Sequence, residues 1–348
     1  MRGANWVGDA VMTVPALREL RRLLPRARVT LATRPWAEGI FEGADFIDDF
    51  LVTRETSNRP GALVAEARRW RGRRFDLAVL FPNSFAPALV AALARVPARL
   101  GHATQGRSAL LTHRLPAPDW RGRRHEVFYY LNRVAGLERM LYGTDTVETR
   151  EPDTRLPAPP EREREAAELL RGRGVRPGAP LVAVCPGSTN SRAKRWPAER
   201  FAAVADLLAE REGASVLLVG AAEELGISEE VARLMRARPF VLTGATDLAQ
   251  TAAVLRAADL LVTNDTGPAH VAAAVGCPVV VVFGPTNPLT TRPFSESARV
   301  VRRPPDCAPC MLRDCPIDHR CMTAVTAEEV FERAAEALAV RRGVEVAR

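Results

Sequence analysis

With 348 residues the chain exceeds what one compact core usually holds, so two domains are expected. Its 47% hydrophobic and 26% charged residues exclude a disordered tail. The formal charge of +8 points to a polyanionic partner, whether nucleic acid, phosphorylated substrate or anionic membrane surface; charge alone does not choose among them.

No apolar run approaches the roughly 20 residues of a membrane span. Residues 1–24 read as a working turn and helix rather than a signal peptide, so a cytoplasmic chain is expected. Lys194 is the only lysine; arginine takes the basic role everywhere else, which marks 194 as a position where a compact ammonium is wanted.

In chain order, Gly3-Ala4-Asn5-Trp6-Val7-Gly8-Asp9 opens an amphipathic helix with Val11, Val14, Leu17, Leu20 and Leu24 at helical spacing. An apolar strand normally precedes such a turn, and here only Met1 and Arg2 do, so the first strand is expected to be missing. Strands follow at 28–32, 46–52, 75–81 and 98–101, with helices at 36–41, 60–69, 85–94 and 126–136. This βα alternation implies a mostly parallel sheet. Residues 149–160 carry four prolines among charges, a helix fits 164–171, and the boundary is expected near 155–178. The second half alternates strands at 181–185, 215–219, 240–242, 260–262 and 278–283 with helices at 197–211, 228–237, 248–257 and 269–275. Thr326-Ala327-Glu328-Glu329 fits a capping box for a last helix. The domains expected are 1–160, 175–325 and a C-terminal helical segment, 326–348, packing back toward the first.

Several stretches can carry chemistry. Strand 260–262 runs through Asn264, Asp265, Thr266 and Gly267 into a small-residue helix containing His270, a turn that either binds an anion at the helix start or merely caps it. Strand 181–185 runs into Gly187, Ser188 and Thr189 and on to Lys194 and Arg195; hydroxyls, amides and a point cation can hold a diphosphate, or form a basic surface loop. Glu223 or Glu224, after strand 215–219, can accept from a ribose, or sit exposed. Asp9 is an N-cap, or a base presented from a rigid helix. Asn83 and Ser84, with the basic loop from Gly101 through Arg107 to Arg124, can face an anionic acceptor. Cys307, Cys310, Cys315 and Cys321, with His319, read as a zinc knuckle or redox pair, or as reduced packing thiols.

Taken together, the motifs resemble those of the ADP-heptose:lipopolysaccharide heptosyltransferases (glycosyltransferase family 9), most closely the type II members. Asn5-Trp6-Val7-Gly8-Asp9-Ala10-Val11-Met12, then Cys185-Pro186-Gly187 with Lys194-Arg195-Trp196-Pro197, then Thr263-Asn264-Asp265-Thr266-Gly267 with His270 occur in family order. Leu80-Phe81-Pro82-Asn83-Ser84-Phe85 resembles a type II segment. The resemblance implies a GT-B fold: two Rossmann-like α/β domains facing across a cleft, acceptor bound by the first and nucleotide sugar by the second. It implies inverting, metal-independent transfer from ADP-L-glycero-β-D-manno-heptose to the first heptose of Kdo-lipid A, by a monomer lying peripherally on the inner face of the cytoplasmic membrane. Asp9 matches the general base and Lys194 the residue that meets the diphosphate. Gly187, Ser188, Thr189, Glu223, Asp265, Thr266, Gly267 and His270 then belong to the donor site. Asn5, Trp6, Asn83, Ser84, Arg107 and Arg124 belong to the acceptor site. No cofactor is expected, and zinc, if bound at the cysteines, is structural. A family member using Kdo or the second heptose is the near alternative. A UDP-GlcNAc 2-epimerase-like enzyme is a more distant one, and a nucleic-acid binder lacks a recognition helix or stacking strip.

Overall fold

Every strand pair in the computed structural model, which describes residues 1–53 and 59–343, is parallel, as the βα alternation requires. The chain divides into two units, Met1–Thr154 and Arg155–Arg348.

In the first unit β1 (Thr30–Thr33) pairs with β2 (Asp49–Val52). A second ladder holds β3 (Leu77–Val79), β4 (Ala98–His102) and β5 (His113–Leu115) in that order. Residues 1–3 lie between the two ladders: Arg2 bridges Ala32 on one side and Leu80 on the other. The Gly3 amide donates to the Ala32 carbonyl at 2.9 Å, and the Arg2 amide donates to the Val79 carbonyl at 2.9 Å. The expected gap is thereby corrected. So short a segment shows no apolar run, yet its backbone bonds both neighbours. Helices Pro60–Gly72 and Phe85–Leu93 bury Leu63, Trp70 and Ala88 against Ala32, Leu51 and Leu80. Helix Val14–Leu23 packs against helix Glu126–Tyr142, which outruns its expected end and stops at Gly143 in the left-handed conformation, φ 69°.

The second unit is one six-stranded sheet. From β6 (Leu181–Cys185) the chain runs outward through β7 (Ser215–Leu218) to β8 (Phe240–Val241). It then returns to the far side of β6 as β9 (Leu260–Asn264), followed by β10 (Val279–Val282) and β11 (Ala298–Val301). The strand order reverses between β6 and β9, so the loops leaving their carboxyl ends diverge. Open α/β sheets bind ligands at such a point. Strands β6, β9 and β10 are buried throughout, which is why they read as continuous apolar runs. Strands β5 and β11 escaped the sequence reading: each lies at a sheet edge and is only partly buried.

The last helix, Ala327–Arg341, opens on the capping box read from the sequence: the Glu329 amide donates to Thr326 Oγ1 at 3.2 Å, and the Thr326 amide donates to Glu329 Oε2 at 2.9 Å. Its Val330, Ala334 and Leu338 share one core with Val182, Val262 and Val280. Within the C-terminal segment 326–348, the apolar stripe of this helix completes the core of the second unit. Residues 344–348 of that segment lie outside the described residues.

Candidate functional site

The switch point of the second unit gathers three side chains from three strand ends. Lys194 follows β6, Asp265 follows β9 and Thr286 follows β10. The Lys194 ammonium sits 2.8 Å from Asp265 Oδ2 and donates to the Asp265 carbonyl at 3.2 Å. Thr286 Oγ1 donates to the same Oδ2 at 2.6 Å. Asp265 is buried and Lys194 about a quarter exposed, its side chain keeping 26% of its accessible surface. An ammonium has three N–H groups, so with two directed at Asp265 one remains for an oxygen of a ligand. Beside it starts helix Gly267–Ala274. Thr266 stands at its N-cap without closing it, its hydroxyl turned toward the Asn264 carbonyl at 3.4 Å. Pro268 has no N–H and the Ala269 amide donates to the Thr266 carbonyl at 3.2 Å, so it is the Gly267 amide and the positive end of the helix that are left for an anion. His270 is buried within this helix.

Asn264 organises the loop after β6, a role the sequence reading missed. Its Nδ2 donates to the Pro186 carbonyl at 2.8 Å and the Gly187 carbonyl at 3.2 Å, and its Oδ1 accepts from the Trp196 amide at 2.9 Å. The signal was present in the sequence, since an amide side chain at the buried end of a central strand must find partners. Trp196 itself is buried edge-on against Phe201, ring centroids 4.9 Å apart, with its indole N–H on the Val325 carbonyl at 3.1 Å. Ser188 is buried and Thr189 exposed.

Of the two glutamates after β7, Glu224 is the one that meets this loop. Glu223 is exposed, whereas Glu224 is buried and accepts from the Ala221 amide at 3.0 Å and from Thr189 Oγ1 at 3.1 Å. Gly187 has to be glycine here: a Cβ would stand 2.3 Å from the Glu224 carboxyl carbon.

In the first unit Asp9 lies in the first turn of helix Val7–Met12, with the exposed Trp6 at the N-cap. It is therefore not the capping residue. Tyr130, from helix Glu126–Tyr142, donates its hydroxyl to Asp9 Oδ1 at 2.8 Å. Burial, and then the charge of Asp9, push the Tyr130 phenol well above its ordinary pKa and keep it a proton donor. Burial also raises the nearby Glu126 carboxyl, with Arg121 opposing and Asp9 adding to the rise. Behind Tyr130 the buried Arg133 guanidinium lies over the Tyr129 ring, 4.3 Å from its centroid, and donates to Asn83 Oδ1 at 2.8 Å. Tyr129 donates to the same oxygen at 3.1 Å. Burial lowers Arg133 to about 10, which leaves it a cation at neutral pH.

The expected acceptor residues separate by environment. Trp6 and Ser84 are exposed, and Arg124 is exposed with its guanidinium 3.6 Å from the Phe128 ring centroid. Asn5 accepts from Arg2 at 2.7 Å, and Asn83 is tied to Arg133 and Tyr129. Arg107 is corrected: it is fully buried and donates to the carbonyls of His102 and Pro82, so it shapes the loop before Ser84 and meets no solvent. Gly101 makes room for it, since a Cβ there would stand 3.0 Å from Nη2.

All six cysteines are free thiols. Burial pushes Cys185 and Cys277 to about 12, as core packing requires. Cys307 is exposed, Cys310 and Cys315 are half-buried and Cys321 is buried. Burial raises Cys321, and Cys315, Cys310 and Cys307 raise it further. Among the described residues no three His, Cys, Asp or Glu side chains are placed to hold a metal ion, so the zinc-knuckle alternative finds no ligand set here.

Residues 64–320 match the family model of glycosyltransferase family 9 (heptosyltransferase). The chain is 30% identical over 315 residues to lipopolysaccharide heptosyltransferase 2 of Escherichia coli (strain K12), covering 86% of each chain. It is 29% identical over 316 residues to the protein of the same name from Salmonella typhimurium (strain LT2), again covering 86% of each. A solved structure of E. coli ADP-heptose lps heptosyltransferase II superposes with a TM-score of 0.82 at 25% identity, with 98% of each chain covered.

Proposed function

The chain belongs to glycosyltransferase family 9, the heptosyltransferases, and from that premise we propose that it transfers L-glycero-D-manno-heptose from ADP-heptose to the first heptose of the Kdo-lipid A inner core. One observation carries the donor half of this reading: the chain's only lysine is held by Asp265 and Thr286 at the switch point of the second unit, beside an open helix N-terminus. Negative charge grows on the ADP diphosphate as the glycosidic bond breaks. Lys194, the Gly267 amide at the positive end of helix Gly267–Ala274 and the Ser188 hydroxyl meet that charge without a metal ion, and Thr189 joins them by turning its hydroxyl from Glu224.

Asp9 is the base of this reaction. Its carboxylate takes the proton from the acceptor hydroxyl while the oxygen attacks the anomeric carbon opposite the departing ADP. The bond to ADP breaks as the new one forms, so a β-linked donor gives an α-linked product. Trp6, Ser84 and Arg124 contact the acceptor, whose phosphates and Kdo carboxylates suit the chain's positive charge. The enzyme works as a monomer in the cytoplasm, on the inner face of the membrane that carries its acceptor. Among the described residues no helix is long and apolar enough to cross that membrane.

The test is incubation with ADP-heptose and inner-core acceptors bearing no, one or two heptoses, with products read by mass. Extension of the one-heptose acceptor is expected. Extension of only the Kdo acceptor or only the two-heptose acceptor would replace this acceptor by another within the same family.

A further inference from the structure

The cysteine-rich segment, which the reaction above does not use, meets the donor loop through its backbone. The Ala193 amide donates to the Arg313 carbonyl at 2.9 Å, and Ser191 Oγ donates to the same carbonyl at 3.1 Å. His319 Nε2 donates to the Ala193 carbonyl at 2.6 Å. The three residues before Lys194 are thus tied down, the middle one, Arg192, by an ion pair to Asp314 at 2.7 Å. The same segment reaches the other side of the site, where the Met311 amide donates to the Pro285 carbonyl at 2.9 Å, one residue before Thr286.

Two of these contacts come from strained backbone. Met311 (φ 58°) and His319 (φ 56°) both occupy the left-handed region, uncommon for residues with side chains. Each is also a residue that makes a contact. Strain that persists at the points of contact indicates that the surroundings enforce it.

Building on the donor reading, we propose that this segment is a clamp that sets the position of Lys194 against the donor diphosphate, with His319 as its positioning residue. It grips the turn before Lys194 at one end and the chain before Thr286 at the other. Thr286 orients Asp265, and Asp265 holds Lys194, so both supports of the ammonium pass through one segment.

Because Lys194 is the only lysine, its labelling by an amine-directed reagent, read by peptide mass, reports on the turn with no donor present. His319→Ala should speed labelling by about fivefold, the effect of one lost hydrogen bond. His319→Gln, whose amide can donate to the same carbonyl, should restore the slow rate. Affinity for ADP should fall by about the same factor in His319→Ala while that for adenosine holds, a split that general loosening of the fold does not produce. Should His319→Ala not fold, Ser191→Ala removes a neighbouring tie and should show the same pattern in weaker form. Unchanged labelling in the folded variant, failure of Gln to restore it, or equal loss for adenosine and ADP overturns the clamp. Failure of ADP to protect Lys194 in the wild-type chain overturns the donor reading instead, and the ligand-free labelling rates still judge the clamp.

Discussion

The Tyr130 hydroxyl donates to Oδ1 of Asp9 at 2.8 Å, from a ring packed edge-on to Phe81 and beside the Arg133 guanidinium. A buried phenol that stays protonated helps hold that oxygen of the carboxylate in one position. Tyr130→Phe should lower kcat by about tenfold with the KM for ADP-heptose unchanged. A change confined to donor KM would remove Tyr130 from the role of orienting the base.

Asp9→Asn keeps the shape of the side chain and abolishes its basicity. Transfer should fall by about 10²–10⁴-fold while ADP-heptose still binds. Isothermal titration with ADP-heptose checks the second half, and loss of donor binding in this variant would place Asp9 elsewhere in the reaction.

Lys194→Ala should cost about 10²–10³ in kcat, the range for losing one preorganised donor to a developing charge. Lys194→Arg should not rescue it fully, because a planar fork does not fit a position shaped around a point ammonium by Asp265 and Thr286. Thr286→Val should show a smaller loss in the same direction. Activity in excess chelator completes the test, with undiminished turnover expected. A chelator-sensitive rate restored by one divalent ion would overturn the metal-free reading.

His102 is fully buried with Nε2 3.0 Å from Asn132 Oδ1. Burial, and then the Arg133 charge, push it down to about 3 from an ordinary 6.5. The unfolded chain therefore takes up a proton near 6.5 while the folded chain stays neutral. The folded state keeps its full stability above the unfolded pKa and loses it as pH falls from there toward the folded value. Through this group the first unit should lose about 1 kcal/mol per pH unit in that window. Denaturant titrations at about pH 6 and about pH 4 should show a flatter decline for His102→Gln than for wild type. Equal slopes would assign the acid sensitivity to other groups.

The buried strands of the second unit were legible because β6, β9 and β10 are apolar from end to end, and the motifs read at their ends lie on the loops that leave the switch point. What stayed hidden depends on long-range geometry. Arg107 reads as a surface cation, yet Gly101 admits it to the interior, where carbonyls replace water. Glu223 and Glu224 are equivalent in sequence, and only the turn after β7 decides which one points at Gly187. Residues 1–3 reveal their strand role only once β1 and β3 stand on either side of them.

The Asn264 side chain joins the two ends of one loop, Pro186 and Gly187 at its start and Trp196 at its finish. The residues between them thus form a ring closed by a single amide. The separation of the loop's two ends is therefore set by one side chain on β9 and not by the residues between them. Replacing Asn264 would release both ends of the ring at once, while Ser191 to Lys194 keep their own ties to residues 313–319 and Asp265.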